Sequence, residues 1–263
     1  MRWLVLGVSA LVVGLAAVTL GWAAVTPAEE KALGLALARG KLIYSYDQAA
    51  WVSTDTMLVE LPRSGQAKVA GWIVEPKGEM LTATYYGLRG ATPFPVYSAD
   101  VVDNKVAAST VYDLGEPAVL SQAQQAIIKA RATAMGSEFA ACANAPFNTV
   151  VLPPETEGGP WLVYLLTPQV QNGVYPFGGH FLVEIGANGD VVASRRFTRA
   201  CMNMPVGAND GSFPGITHNL DPTPTEIHVF LSLWLKKTLY VMTEHGAWSV
   251  EGGRIRLLTD DQD

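Results

Sequence analysis

The sequence predicts an α+β protein, with antiparallel β-sheets and about three covering helices. Three observations carry this. Short β-prone runs come in consecutive pairs joined by tight turns, which makes antiparallel hairpins. Three helix starts carry Ser or Thr with Glu or Gln three residues on. No internal repeat or low-complexity tract competes with that pattern. With 263 residues and 49% hydrophobic content, the chain can bury a core. It reads as a β-rich N-terminal region, 24–115, and an α+β C-terminal region, 116–263. These form one continuous domain or two small subdomains.

The first 25 residues carry one charge, Arg2, and then run uncharged from Trp3 to Val25. Such a segment enters a membrane or an export channel. Gly21-Trp22-Ala23 sets small residues at −3 and −1 of a cleavage site, so 1–23 reads as a removed signal peptide. The run is also long enough to stay as an anchor, since about 20 apolar residues span a bilayer. Either reading exports the rest, to the periplasm or beyond, or holds it at the inner membrane by residues 3–25.

The first helix opens at Thr26-Pro27-Ala28-Glu29 and is expected to stop at Gly40. Tyr44–Trp51 reads as a short amphipathic helix that docks Trp51 in the core. Next come strands at Met57–Leu61, Val69–Glu75 and Met80–Tyr86, the last two joined by Pro76-Lys77-Gly78. Val96–Val102 and Val106–Tyr112 follow, around an Asp103-Asn104 turn. The second helix opens at Ser121 with Gln124 and is expected to run to about Ala140. Strands at Thr149–Leu152 and Trp161–Leu166 precede the clearest hairpin, His180–Ile185 with Val191–Phe197. Met202–Asp221 reads as loop. The third helix opens at Thr223, with Glu226 completing the capping box. Strands at Thr238–Thr243, Ala247–Val250 and Arg254–Leu258 close the chain.

The charge is −6, and −7 once Arg2 is removed. The densest basic cluster, Arg195, Arg196 and Arg199, is too sparse for a nucleic-acid footprint, so no nucleic-acid partner is expected. Membrane contact is expected only through residues 3–25. Cys142 and Cys201 are an isolated pair, read as a disulfide in an oxidising compartment. Closing a loop of about 59 residues, it adds about 4 kcal/mol on the chain-entropy model. Free thiols and a metal site are the alternatives.

There is no HExxH, no GxxxxGK[ST], no CxxC and no EF-hand loop, and no cofactor is expected. A catalytic site, if present, is dispersed. Its candidates are His218, Asp221, His180 and Glu226, drawn from the segment Thr217–His228 and the strand start at His180. If a metal binds, His218, Asp221 and His180 are its candidate ligands. Glu226 and His228, two apart on a helix, point about 200° away from each other. His245, in a hairpin turn, is expected to face solvent. For binding, Tyr46 and Trp51 offer aromatic faces, and Arg195 and Arg199 offer cations for an anionic ligand.

In element order, the hairpin after Gly178-Gly179-His180, the His218 loop and the following helix loosely resemble the JAB/MPN metalloprotease-like fold. That family binds zinc through His-x-His-Pro and a downstream Asp. Here the chain reads His218-Asn219-Leu220-Asp221-Pro222, without the second histidine, and Glu226 stands near the place of the Asp. Tyr175-Pro176-Phe177 occupies the place of the family's glutamate.

The sequence therefore expects an exported envelope protein, foremost a non-enzymatic module that binds an envelope protein or small ligand. The alternatives are a metal-dependent hydrolase using the His218/Asp221 loop, and a membrane-tethered assembly factor.

Overall fold

A computed structural model describes residues 24–116, 118–207 and 213–258. The signal-peptide or anchor segment, 1–23, lies outside the described residues. Helix α1 runs unbroken over Pro27–Glu60, and α2 is the single turn Arg63–Gln66. Strands β1 (Gly71–Lys77), β2 (Met80–Arg89), β3 (Thr92–Val102) and β4 (Lys105–Val111) form one antiparallel sheet in sequence order. Helix α3 is Gln122–Met135. A second antiparallel sheet takes β5 (Asn148–Leu152), β6 (Trp161–Leu166), β8 (Phe181–Ile185) and β9 (Val191–Arg196), and β7 (Val174–Pro176) pairs with β10 (Asn203–Pro205). The third sheet holds β11 (Gly215–Thr217), β12 (Leu239–Met242), β13 (Ala247–Glu251) and β14 (Arg254–Leu257), with α4 (Glu226–Leu235) crossing between β11 and β12. Mixed α+β architecture is thus observed, with one departure: β11 and β12 are parallel. Among the described residues, no helix is long and apolar enough to cross a membrane.

The N-terminal third differs most from expectation. Gly40 does not end the first helix, Tyr44–Trp51 is not a separate one, and Met57–Leu61 is not a strand. All but Leu61, the extended C-cap, belong to α1, which stops at the Leu61-Pro62 step, because a residue before proline is driven out of the helical region. Its buried side recurs every three or four residues, at Ala36, Gly40, Ile43, Tyr46, Ala49, Ser53 and Met57. Gly40 serves packing: a Cβ there would come within 2.5 Å of the Val229 Cβ and 2.7 Å of the Glu226 carbonyl. Trp51 is 59% exposed rather than docked in the core.

Two further boundaries shift. Helix α3 ends at Met135 rather than Ala140, capped by Gly136. Helix α4 is capped by Thr225, not Thr223, and His228, not Glu226, takes the reciprocal place. The Thr225 N–H donates to the His228 Nδ1 at 2.9 Å. β7, β10 and β11 were not foreseen; the last two lie in the segment read as loop. The turns agree with expectation: Asp103 and Asn104 hold φ of 49° and 57°, the left-handed pair of a tight hairpin.

Apolar cover meets the first two sheets on one face throughout and on part of the other. One side packs on α1 and α4 through Ala83, Tyr85, Tyr97, Val150, Tyr164 and Leu182. The other packs on α3 through Ile73, Tyr86, Val151, Val163, Phe181 and Val183. Each core draws residues from before and after position 115. This overturns the expectation that His180 lies on a polar side of its strand, because β8 is covered on both faces and His180 is fully buried.

Candidate functional site

Three histidines gather where β11, α4 and the start of β8 meet. His218 follows β11, and its backbone N–H donates to the Met242 carbonyl. Its Nε2 donates to Asp221 Oδ2 at 2.8 Å, and Arg195 Nη2 donates to the same oxygen at 2.6 Å. Burial pushes the Asp221 carboxyl up, but the bonds from His218 and Arg195 outweigh it and hold it below the usual range. The Arg195 guanidinium also lies 4.6 Å from the centre of the Phe197 ring.

The ring of His228 meets His218 edge-on, 4.7 Å between centroids. Its Nδ1 accepts from Thr225, and burial drives its pKa down to about 3. His180 donates from Nε2 to the Pro176 carbonyl at 2.9 Å and accepts the Thr167 N–H at Nδ1, 3.3 Å away. Burial lowers its pKa to about 4. Both side chains are neutral near pH 7, and His180 has both ring nitrogens engaged in holding backbone.

Glu226 points elsewhere. It accepts from the Tyr164 hydroxyl at 3.0 Å and lies 4.0 Å from Arg39, which pairs with Glu155 at 2.7 Å. Burial, with the Glu226 charge, raises Tyr164 well above its usual value. The Glu226 carboxylate therefore ties α4 to β6 and α1. It sits in a different network from His218 and Asp221.

Of the four candidates, the structure pairs His218 with Asp221 and places His228, unchosen by sequence reasoning, against them. Asp221, with Arg195, Arg196, Ser194, Leu220 and Phe139, borders a shallow cleft of about 610 Å³. Among the described residues, no group of three or more His, Cys, Asp and Glu side chains is placed to hold a metal ion. His218, Asp221 and His180 thus do not form a ligand set. His245 is not solvent-facing: its side chain is 8% exposed, 3.1 Å from Glu29 and tilted against Trp248.

Among the binding candidates, Tyr46 is buried and Arg195 is committed to Asp221, while Trp51 and Arg199 stay exposed. Two clefts not foreseen from sequence flank α3. One is an apolar groove of about 550 Å³ between α3 and the β2–β3 hairpin, walled by Tyr86, Leu88, Pro93, Ala126, Ile128 and Ala132. The other, of about 480 Å³, lies on the open face of the first sheet and is polar. The sequence signal for the groove is Ile128 and Ala132, one turn apart on α3, beside Leu88, which alternation sets on the face of β2 away from Tyr85.

Cys142 and Cys201 form a disulfide, joining the segment after α3 to the one before β10. It packs on Gly179, where any side chain would collide with Cys142 and with Thr167 Oγ1. Compared with models of known protein families and with curated proteins, the chain matches none.

Proposed function

We propose that the protein is an exported, non-enzymatic binding module of the cell envelope that holds a small ligand or a partner protein. The observation that carries this reading is the apolar groove between α3 and the β2–β3 hairpin, an open concave surface of ligand size. Of the acid–base candidates, by contrast, His218, His180 and Glu226 are buried and hydrogen-bonded, and the half-buried Asp221 is held by His218 and Arg195. The disulfide supports export, since such bonds persist in oxidising compartments.

Residues 3–25 serve as export signal or tether. Thr26 caps α1 and Val25 packs on the core, so the first helical turn carries its own cap and anchor from residue 25 onward. The mass of the exported chain distinguishes the two.

The test is amide chemical-shift mapping against a library of apolar fragments. Saturable shifts at Leu88, Ala126, Ile128 and Ala132 are the expected result. Shifts at His218 and Asp221, with ester or amide turnover that His218→Ala abolishes, would establish the hydrolase instead. Metal content of the natively exported protein is measured alongside; one tightly held ion per chain, lost in His218→Ala, would also favour the hydrolase.

A further inference from the structure

The open face of the first sheet is built differently from an ordinary solvated one. Alternation sets Ala83, Tyr85, Tyr97 and Ala99 against α1, and turns Thr82, Thr84, Ser98 and Asp100 the other way. The register aligns these in rows: Glu75 opposite Thr82 opposite Asp100 opposite Ala108, then Ile73, Thr84, Ser98 and Thr110. Exposed sheet faces usually carry long charged side chains. Here the centre holds short hydroxyls, and the long side chains, Lys77, Glu75 and Gln124, stand at the rim. The result is a concave polar cleft of about 480 Å³, within the usual range of small-molecule sites, about 300–1,000 Å³.

The polar groups are fixed in place. Asp100 accepts from Thr82 at 2.6 Å and from Lys77 at 2.8 Å. Gln124, from the first turn of α3, donates to Glu75 at 2.6 Å. Tyr112 lies 3.2 Å from Ser98 through its hydroxyl and walls one end with its ring. Two carboxylates against one lysine disfavour an anionic ligand. The scarcity of apolar lining disfavours a hydrophobic one. Held hydroxyls and carboxylates flanking one aromatic ring suit vicinal hydroxyls, each of which both donates and accepts.

We propose that this cleft is a saccharide site, taking a neutral glycan through Asp100, Glu75, Thr82 and Ser98 with Tyr112 against a sugar face. The proposal rests on the binding-module reading and names the ligand class of a second cleft.

The experiment titrates cellohexaose, maltohexaose and chitohexaose into the isotopically labelled exported protein, monitored by amide shifts. Expected are saturable shifts confined to β1–β4 and the first turn of α3, insensitive to salt. Asp100→Asn and Thr82→Val, both near-isosteric, should each weaken binding at least tenfold. Absence of saturable shifts with all three sugars at millimolar concentration overturns the proposal, as do shifts unchanged in both variants. A spectrum of either variant shifted throughout would show misfolding, and the other variant then decides. Apolar fragments at Leu88 and Ile128 without any saccharide binding would leave the binding reading standing and remove this inference. Turnover dependent on His218 would remove both.

Discussion

Gly40 of α1 and Val229 of α4 touch so closely that the helices can meet only if position 40 lacks a side chain. The Glu226 carbonyl, in the first turn of α4, crowds the same spot. Glycine within a helix costs about 1 kcal/mol relative to alanine. Here that local cost is offset by bringing α4, and with it Glu226 and His228, against the helix that spans the fold.

Gly40→Ala should therefore destabilise the protein by about 1–3 kcal/mol despite its better helix propensity. Gly34→Ala, on the same helix with open space around it, should stabilise by about 0.5–1 kcal/mol. Urea unfolding of both variants checks the pair. A stabilised Gly40→Ala would mean α1 and α4 do not pack as described.

Stability should fall with acid over a defined window. His180 and His228 have folded pKa values near 4 and 3, against an unfolded value of about 6.5. Below 6.5 the unfolded chain takes up protons that the folded one refuses. Stability is thus full above about pH 6.5 and is lost as pH falls towards 4 and then 3. His180 alone is worth about 3 kcal/mol across its window. Denaturant midpoints measured from pH 7 to 4 should decline, and His180→Gln, already weaker at pH 7, should flatten that decline.

Denatured but unreduced protein should show no free thiol on labelling, since Cys142 and Cys201 are bonded. Replacing both with serine should cost about 2–5 kcal/mol. Two labelled thiols would refute the bond.

Glu226→Leu should cost about 2–3 kcal/mol, because the buried Tyr164 hydroxyl loses its acceptor and Arg39 a nearby carboxylate. Glu226→Gln keeps an acceptor and should cost less. Thermal melts of the two variants read the difference. If Glu226 served catalysis alone, both would melt like the parent.

The hairpins were legible because their turns carry their own signature. Asp103-Asn104 and Glu251-Gly252-Gly253 mark left-handed turns whatever surrounds them. The long first helix was not, for two reasons. Gly40 looks like a stop signal until Val229 shows what it makes room for, and Met57–Leu61 has residues that suit a strand when read alone. His180 was misplaced because a strand buried on both sides loses the alternation that sorts its faces. His218 and Asp221 were legible as a pair three residues apart. Arg195 and His228 complete their surroundings from β9 and α4, a meeting that only tertiary structure arranges. The sheet cleft was invisible because its residues lie far apart in the chain and no single one is unusual.

Helix α1, about 50 Å long at 1.5 Å per residue, touches α4, β1 to β5 and β14. Tension applied at residue 24 therefore does not peel away a handle. It enters a beam seated on three sheets and a second helix, and is shared as shear among many side-chain contacts. Such a body hung from its N-terminal end would yield as a whole under load, not by unravelling one strand at a time.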